Sequence, residues 1–159
     1  HYFASKEDFG LAVIERFASQ YDANLATLME DSAVPPLERL RRYFAAGRAH
    51  MLDCDHSTGC LIGNLGQELA GQNDTFRDAL NVVFQRWEKR LVTCLSQAQA
   101  DGSVPEGLSP DTLASFILSG WEGAILPCTQ EEKNWITLMT ITGHEREDGE
   151  KRKNSKYVL

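Results

Sequence analysis

The chain lacks any apolar run near the roughly 20 residues that a bilayer-spanning helix needs, and no signal-peptide pattern opens it. Both absences point away from membrane insertion and export and toward a cytoplasmic protein. Cysteine is sparse. The four present, Cys54, Cys60, Cys94 and Cys128, are spread out, which in that compartment reads as reduced thiols rather than a disulfide framework. Positive charge is in deficit: 16 Lys and Arg face 23 Asp and Glu, and a net charge of −7 repels nucleic acid as a whole-molecule average. A local basic patch is still compatible with that average. Alternating runs of strand type are missing, as is any repeat of fixed period. No phosphate-cradling glycine loop, H-E-x-x-H pair or nucleophile–base–orienter set occurs, which argues against an enzyme and calls for no cofactor.

What is present is an ordinary globular composition, 159 residues with 42% hydrophobic and 25% charged, enough for one domain with a real core. The first residue, His1, stands inside the stretch HYFASKED, so the chain reads as a fragment of a longer one. Ser5 followed three residues later by Asp8 signals a helix start. Phe9, Val13, Phe17, Tyr21, Leu25 and Leu28, widened by Ile14 and Ala18, then predict an amphipathic helix over about 6 to 30. Gly10 weakens it by about 1 kcal/mol relative to alanine.

A second helix begins at Pro35-Pro36, carries Leu37, Leu40, Tyr43, Phe44, Gly47 and Met51 on one face, and fades near Cys54. A short third runs from about 60 to 70 between Gly59 and Gly71. Asn73 caps a long fourth, which shows Phe76, Leu80, Val83, Phe84, Trp87, Leu91, Leu95 and Ala98 and stops before Gly102. Ser109-Pro110-Asp111 opens a fifth with Leu113, Phe116, Ile117, Trp121 and Ile125. The predicted fold class is all-α, a helical bundle. After Leu126, Pro127 breaks the pattern, and residues 144 to 156 carry too little apolar surface to offset ordering entropy, so 127 to 159 is expected to be an atypical, partly disordered tail.

These residues resemble a family. HYFASKEDF is similar to the end of the recognition helix and the following helix start of TetR-type repressors, usually Y-x-Y-F-x-[SN]-K-[ED]-x-L. TGCLIGNLGQELA and FILSGWEGAIL resemble the effector-binding half of the subgroup that contains the N-ethylmaleimide-reductase repressor and acrylate-responsive repressors. The resemblance covers residues 1 to 126. It implies that residues 1 to 8 are the remnant of a helix-turn-helix and that 9 to 126 form an effector-binding and dimerisation domain. The implied function is that of a repressor released from operator DNA by a small molecule or electrophile. The alternative is a stand-alone helical ligand-binding or interaction protein that never touches DNA.

The resemblance gives His1, Tyr2 and Lys6 the role of touching DNA phosphates, contacts that position a protein without reading sequence. It also implies a homodimer through the fifth helix, where Gly120 and Ala124 leave low relief beside Leu113, Ile117 and Trp121. Polar-tipped residues expected to line an effector cavity between helices are Tyr43, His50, Asn64, Gln67, Trp87 and Trp121, each of which could equally be core.

The stretch HMLDCDHSTGC gathers His50, Cys54, His56 and Cys60. Four nitrogen and sulfur ligands suit zinc, but the H-x₃-C-x-H-x₃-C spacing matches no standard finger, so a helix end with a polar loop is expected and no metal. Cys60 stands apart because it follows Gly59 at a helix start, where unpaired amides favour a thiolate. In the resembling repressor the cysteine of the matching G-C-L motif is the electrophile-sensing thiol. The plainer reading of Cys60 is a small, inert, buried helix-start residue.

Overall fold

The computed structural model describes residues 2–53 and 59–125. The sequence expectations about His1, Cys54, His56, Cys128 and the tail lie outside those residues. Five helices follow one another: α1 (Lys6–Met29), α2 (Pro36–Asp53), α3 (Leu61–Leu69), α4 (Asp74–Ala100) and α5 (Pro110–Ala124). No strand occurs among the described residues.

Local chemistry sets the helix starts. Ser5 Oγ accepts from Asp8 N, Asn73 Oδ1 from Phe76 N at 3.0 Å, and Ser109 Oγ from Thr112 N at 3.1 Å, each satisfying an amide that has no intrahelical partner. Cys60 caps α3 in the same way, its Sγ accepting from Gly63 N at 3.4 Å. Gly102, with φ of 79°, turns the chain after α4 in the left-handed conformation that glycine adopts without strain.

α4 is the spine and packs against each of the other four helices. Around it lie Ile14, Ala18 and Leu25 of α1, Leu40 and Tyr43 of α2, Ile62 of α3, and Ala114 and Leu118 of α5. Each large apolar side chain removed from water contributes about 1.5–3 kcal/mol, which is what holds short helices such as α3 in place. A smaller cluster, Met51, Trp121 and Ile125, closes one end between α2 and α5, with Phe44 and Cys60 bordering both clusters.

Three details depart from the expected stripes. Phe9 is 53% exposed and stacks edge-on against Phe3 at 5.2 Å, because it is Gly10 that faces α4. A Cβ on Gly10 would stand 2.7 Å from the Phe76 ring, so this glycine permits the α1–α4 approach and is not merely a weak helix former. Arg39 is buried, which no apolar periodicity announces. Its Nε donates to Val34 O at 2.7 Å and its Nη1 to Met29 O and to Gln97 Oε1. One guanidinium thereby ties the end of α1, the α1–α2 turn and α4 together, and it puts positive charge where a helix C-terminus favours it.

Ion pairs join α1 to α4 along their outer side. Asp22 faces Arg86 at 3.3 Å and Arg90 at 3.9 Å, and Arg90 also pairs with Glu30.

Candidate functional site

Where the two apolar clusters meet, a few polar tips come together among aromatic rings. Tyr21 of α1 and Tyr43 of α2 point at each other, hydroxyl to hydroxyl at 2.8 Å. Trp87 of α4 lies against Tyr21 with ring centroids 4.7 Å apart, and Trp121 of α5 lies 6.0 Å from Tyr43 and 5.2 Å from Phe44. Trp121 fits there because Gly47 of α2 has no side chain; a Cβ on it would meet the indole at 2.5 Å. The start of α3 brings Cys60 to this group, and α5 brings Glu122.

Gly63 fixes the last two side by side. A Cβ on Gly63 would collide with Glu122 Oε2 and touch Cys60 Cβ at 3.6 Å, so the carboxyl lies over the first turn of α3 next to the thiol. Glu122 Oε2 is buried and receives no hydrogen bond of ordinary geometry, and the buried Trp87 Nε1 likewise has no acceptor. Burial pushes the Glu122 carboxyl up to about 7, opposed only partly by the nearby thiol. Burial pushes both phenols above their ordinary range as well. The neighbouring hydroxyl raises Tyr21 further but lowers Tyr43, and negative charge at Cys60 or Glu122 raises each of them.

Cys60 corrects an expectation. The helix-start amides of Gly63 and Ile62 do favour its thiolate, but burial and the Glu122 carboxylate outweigh them and push the thiol up to about 12. A helix N-terminus lowers a thiol pKa when it is the dominant neighbour; here it is the weaker one.

The other expected cavity residues separate. Tyr43 and Trp87 belong to the cluster. Asn64 is half-buried on α3, while Gln67 lines an open cavity of about 390 Å³ together with Gly66, Leu80, Phe84 and Glu122. His50 is exposed on the last turn of α2, because that turn presents Met51 to the core instead, so it does not line the cluster. Trp121 lies within the cluster at 3% exposure, which corrects its second expected role: its face is already covered inside the chain and cannot be offered to a partner. Leu113, Ile117, Gly120 and Ala124 are half-buried, the first two against the core, and Phe116 is the large apolar side chain that α5 exposes, at 63%.

Tyr2 is fully exposed and Lys6 is exposed at the first turn of α1. Among the described residues no group of three or more His, Cys, Asp or Glu could hold a metal, and Cys54 and His56 lie outside them.

Two members of the cluster escape sequence reasoning as site residues, Tyr21 and Glu122. Tyr21 looks like one more position of an apolar stripe. Glu122 carries a readable signal, since it is the one acid in FILSGWEGAIL.

Known proteins share this fold. The chain is 39% identical over 126 residues to the HTH-type transcriptional repressor DhaR of Mycobacterium sp. (strain GP1), covering 79% of this chain and 62% of that protein. It is 40% identical to the transcriptional regulator AcuR of Cereibacter sphaeroides, covering 79% of this chain and 58% of that one. The chain thus spans about 60% of the length of these relatives. Among solved structures, the regulatory protein TetR from Rhodobacter sphaeroides superposes with a TM-score of 0.82 at 38% identity, over 89% of this chain and 76% of that one. The reduced form of Escherichia coli NemR shares the fold, with a TM-score of 0.71 at 22% identity over the same shares of the two chains. The family described as "Tetracyclin repressor-like, C-terminal domain" matches residues 36–134. The all-α bundle, its relatives and this match together place the chain in the TetR family, as a member carrying that family's C-terminal domain.

Proposed function

We propose that this chain is the effector-binding portion of a transcriptional repressor that leaves its operator when a small molecule or electrophile reaches the cluster of Tyr21, Tyr43, Cys60 and Glu122. The observation that carries the reading is the gathering of a half-buried thiol, a half-buried carboxyl and two phenols between helices, with the buried atoms Glu122 Oε2 and Trp87 Nε1 lacking a partner of ordinary geometry. Buried polar atoms without partners cost about 1–3 kcal/mol each, and a ligand that satisfies them recovers that energy on binding. Family membership favours this reading over a stand-alone ligand-binding protein.

In this reading residues 1 to 8 end a DNA-binding module, with His1, Tyr2 and Lys6 at phosphates, and residues 9 to 126 form the effector-binding and dimerisation domain. The partners are operator DNA, the effector and a second copy of the chain, which pairs through Leu113, Ile117, Gly120 and Ala124 with Phe116 beside them. The protein acts in the cytoplasm as a regulator and not as an enzyme. Among the described residues no helix is long and apolar enough to cross a membrane. An effector moves the operator equilibrium by its differential affinity for two packings of α1 on α4. Those helices are joined by Asp22 with Arg86 and Arg90, by Phe76 against Gly10, and by Asn73 with Glu7.

The test uses the complete protein with its upstream helix-turn-helix and DNA flanking its own gene, read by fluorescence anisotropy at matched salt. Sequence-selective binding that a soft electrophile reverses is expected, and Cys60→Ser is expected to bind without being released. No preference for the flanking DNA over random sequence would overturn the proposal.

A further inference from the structure

A half-buried thiol held up to about 12 is almost wholly protonated at neutral pH, so it makes a poor sensor unless something removes its proton during the reaction. The group positioned to do so is beside it. Glu122 Oε2 lies over Gly63, whose amide donates to Cys60 Sγ, and the neighbouring thiol is the group that acts on this otherwise unpartnered buried oxygen.

We propose that Glu122 is the base that takes the Cys60 proton as the sulfur attacks a small α,β-unsaturated carbonyl compound. The inference rests on the effector reading above and assigns the chemistry of that same site. The sulfur lone pair forms the bond to the β-carbon while the proton passes to Glu122 Oε2. The π pair of the double bond moves onto the α-carbon and carbonyl oxygen as an enolate. Glu122 then returns the proton to the α-carbon. S–H has been added across the double bond, with no leaving group and no oxidant or reductant.

The tyrosine pair suits the enolate stage. Of two hydroxyls sharing one hydrogen bond, the acceptor keeps its own proton and can donate it to the carbonyl oxygen.

The charged and titratable groups around Glu122 come from every neighbouring helix: Tyr21 on α1, Tyr43 on α2, Cys60 at the start of α3, and Arg77 and Glu88 of α4 along the adjoining cavities. Arg77 is already paired with Asp74 at 2.9 Å, which leaves burial as the main force on the carboxyl.

The experiment is timed reaction of the 159-residue chain with excess acrylamide from pH 5.5 to 9, with mass-spectrometric readout of Cys60. The rate is expected to rise to a plateau with a midpoint near 7, where Glu122 ionises. Glu122→Gln, checked for an unchanged helical spectrum, should lose that inflection, rise about tenfold per pH unit, and run at least about tenfold slower at pH 8. A carboxylate that merely repels the thiolate would act oppositely, and Glu122→Gln would then react as fast or faster. That result overturns the proposal. So does a hydroxide-proportional rate in the unaltered chain, which needs no variant, or the absence of a Cys60 adduct at any pH. Release of the complete repressor from DNA is measured separately, so the effector reading can fail or stand on its own.

Discussion

Asn73 binds two helix starts at once: its Oδ1 caps α4 at Phe76 N, and its Nδ2 donates to Glu7 Oε2 of α1 at 2.6 Å. Asn73→Ala removes both bonds and should lower stability by about 1–2 kcal/mol in urea unfolding. Asn73→Asp keeps a good cap but sets a carboxylate against Glu7. It should therefore be less stable than the parent at pH 8 and recover most of the difference near pH 4, where carboxylates gain protons.

Glu122 makes the fold itself sensitive to pH. The folded state holds its proton up to about 7 and the unfolded chain only to its ordinary value of 4.5. The native state therefore binds more protons between those values, and the stability from this group is full below 4.5 and falls as pH rises through 7. Keeping the anion buried at pH 8 costs on the order of 1–3 kcal/mol. Glu122→Gln should flatten its share of that decline. The urea midpoint of the variant relative to the parent, measured at pH 4.5 and at pH 8, should rise with pH; an unchanged difference would contradict the assignment.

Arg39→Met keeps the length of the side chain and removes its donors. Met29 O and Val34 O lose their partner, as does Gln97 Oε1, so a loss of about 2–4 kcal/mol is expected. Arg39→Lys should recover only part of this, because one ammonium cannot reproduce the guanidinium's spread of donors. Thermal unfolding of the two variants measures both differences.

Gly47→Ala should destabilise by about 1–3 kcal/mol, since the added methyl meets the buried Trp121 ring at 2.5 Å and the indole is already packed against Tyr43 and Phe44. Gly71→Ala is the comparison. Nothing lies within 4 Å of a Cβ there, and it should stay within about 0.5 kcal/mol. Equal melting temperatures for the two variants would show that α2 and α5 are free to move apart.

The helices were legible in the sequence because their limits are local. Ser5, Asn73 and Ser109 cap by reaching three residues along the same chain, and that chemistry is written in consecutive positions. The site was only half legible for the opposite reason. Cys60 was visible at a helix start, but its shift is set by burial under distant helices and then by Glu122, 62 positions away on α5 and brought close by the bareness of Gly63. Periodicity marks a face and not what covers it. Hence Trp121 reads both as cavity lining and as dimer interface until Gly47 is found beneath it, and His50 reads as cavity lining until Met51 takes the inward place. Arg39 could not be read at all, since its three acceptors lie on three separate segments.

Arg86 and Arg90 sit about one turn apart on α4, roughly 6 Å along its axis, and both address the single carboxylate of Asp22. The joint is therefore anisotropic. If α1 slides lengthwise, Asp22 leaves one guanidinium as it nears the other, and the electrostatic energy changes little over the stroke. If α1 lifts away, both attractions weaken together. Taken by itself such a contact is a rail, and it is Glu30 on Arg90, Glu7 on Asn73 and Gly10 against Phe76 that fix where along it the first helix rests.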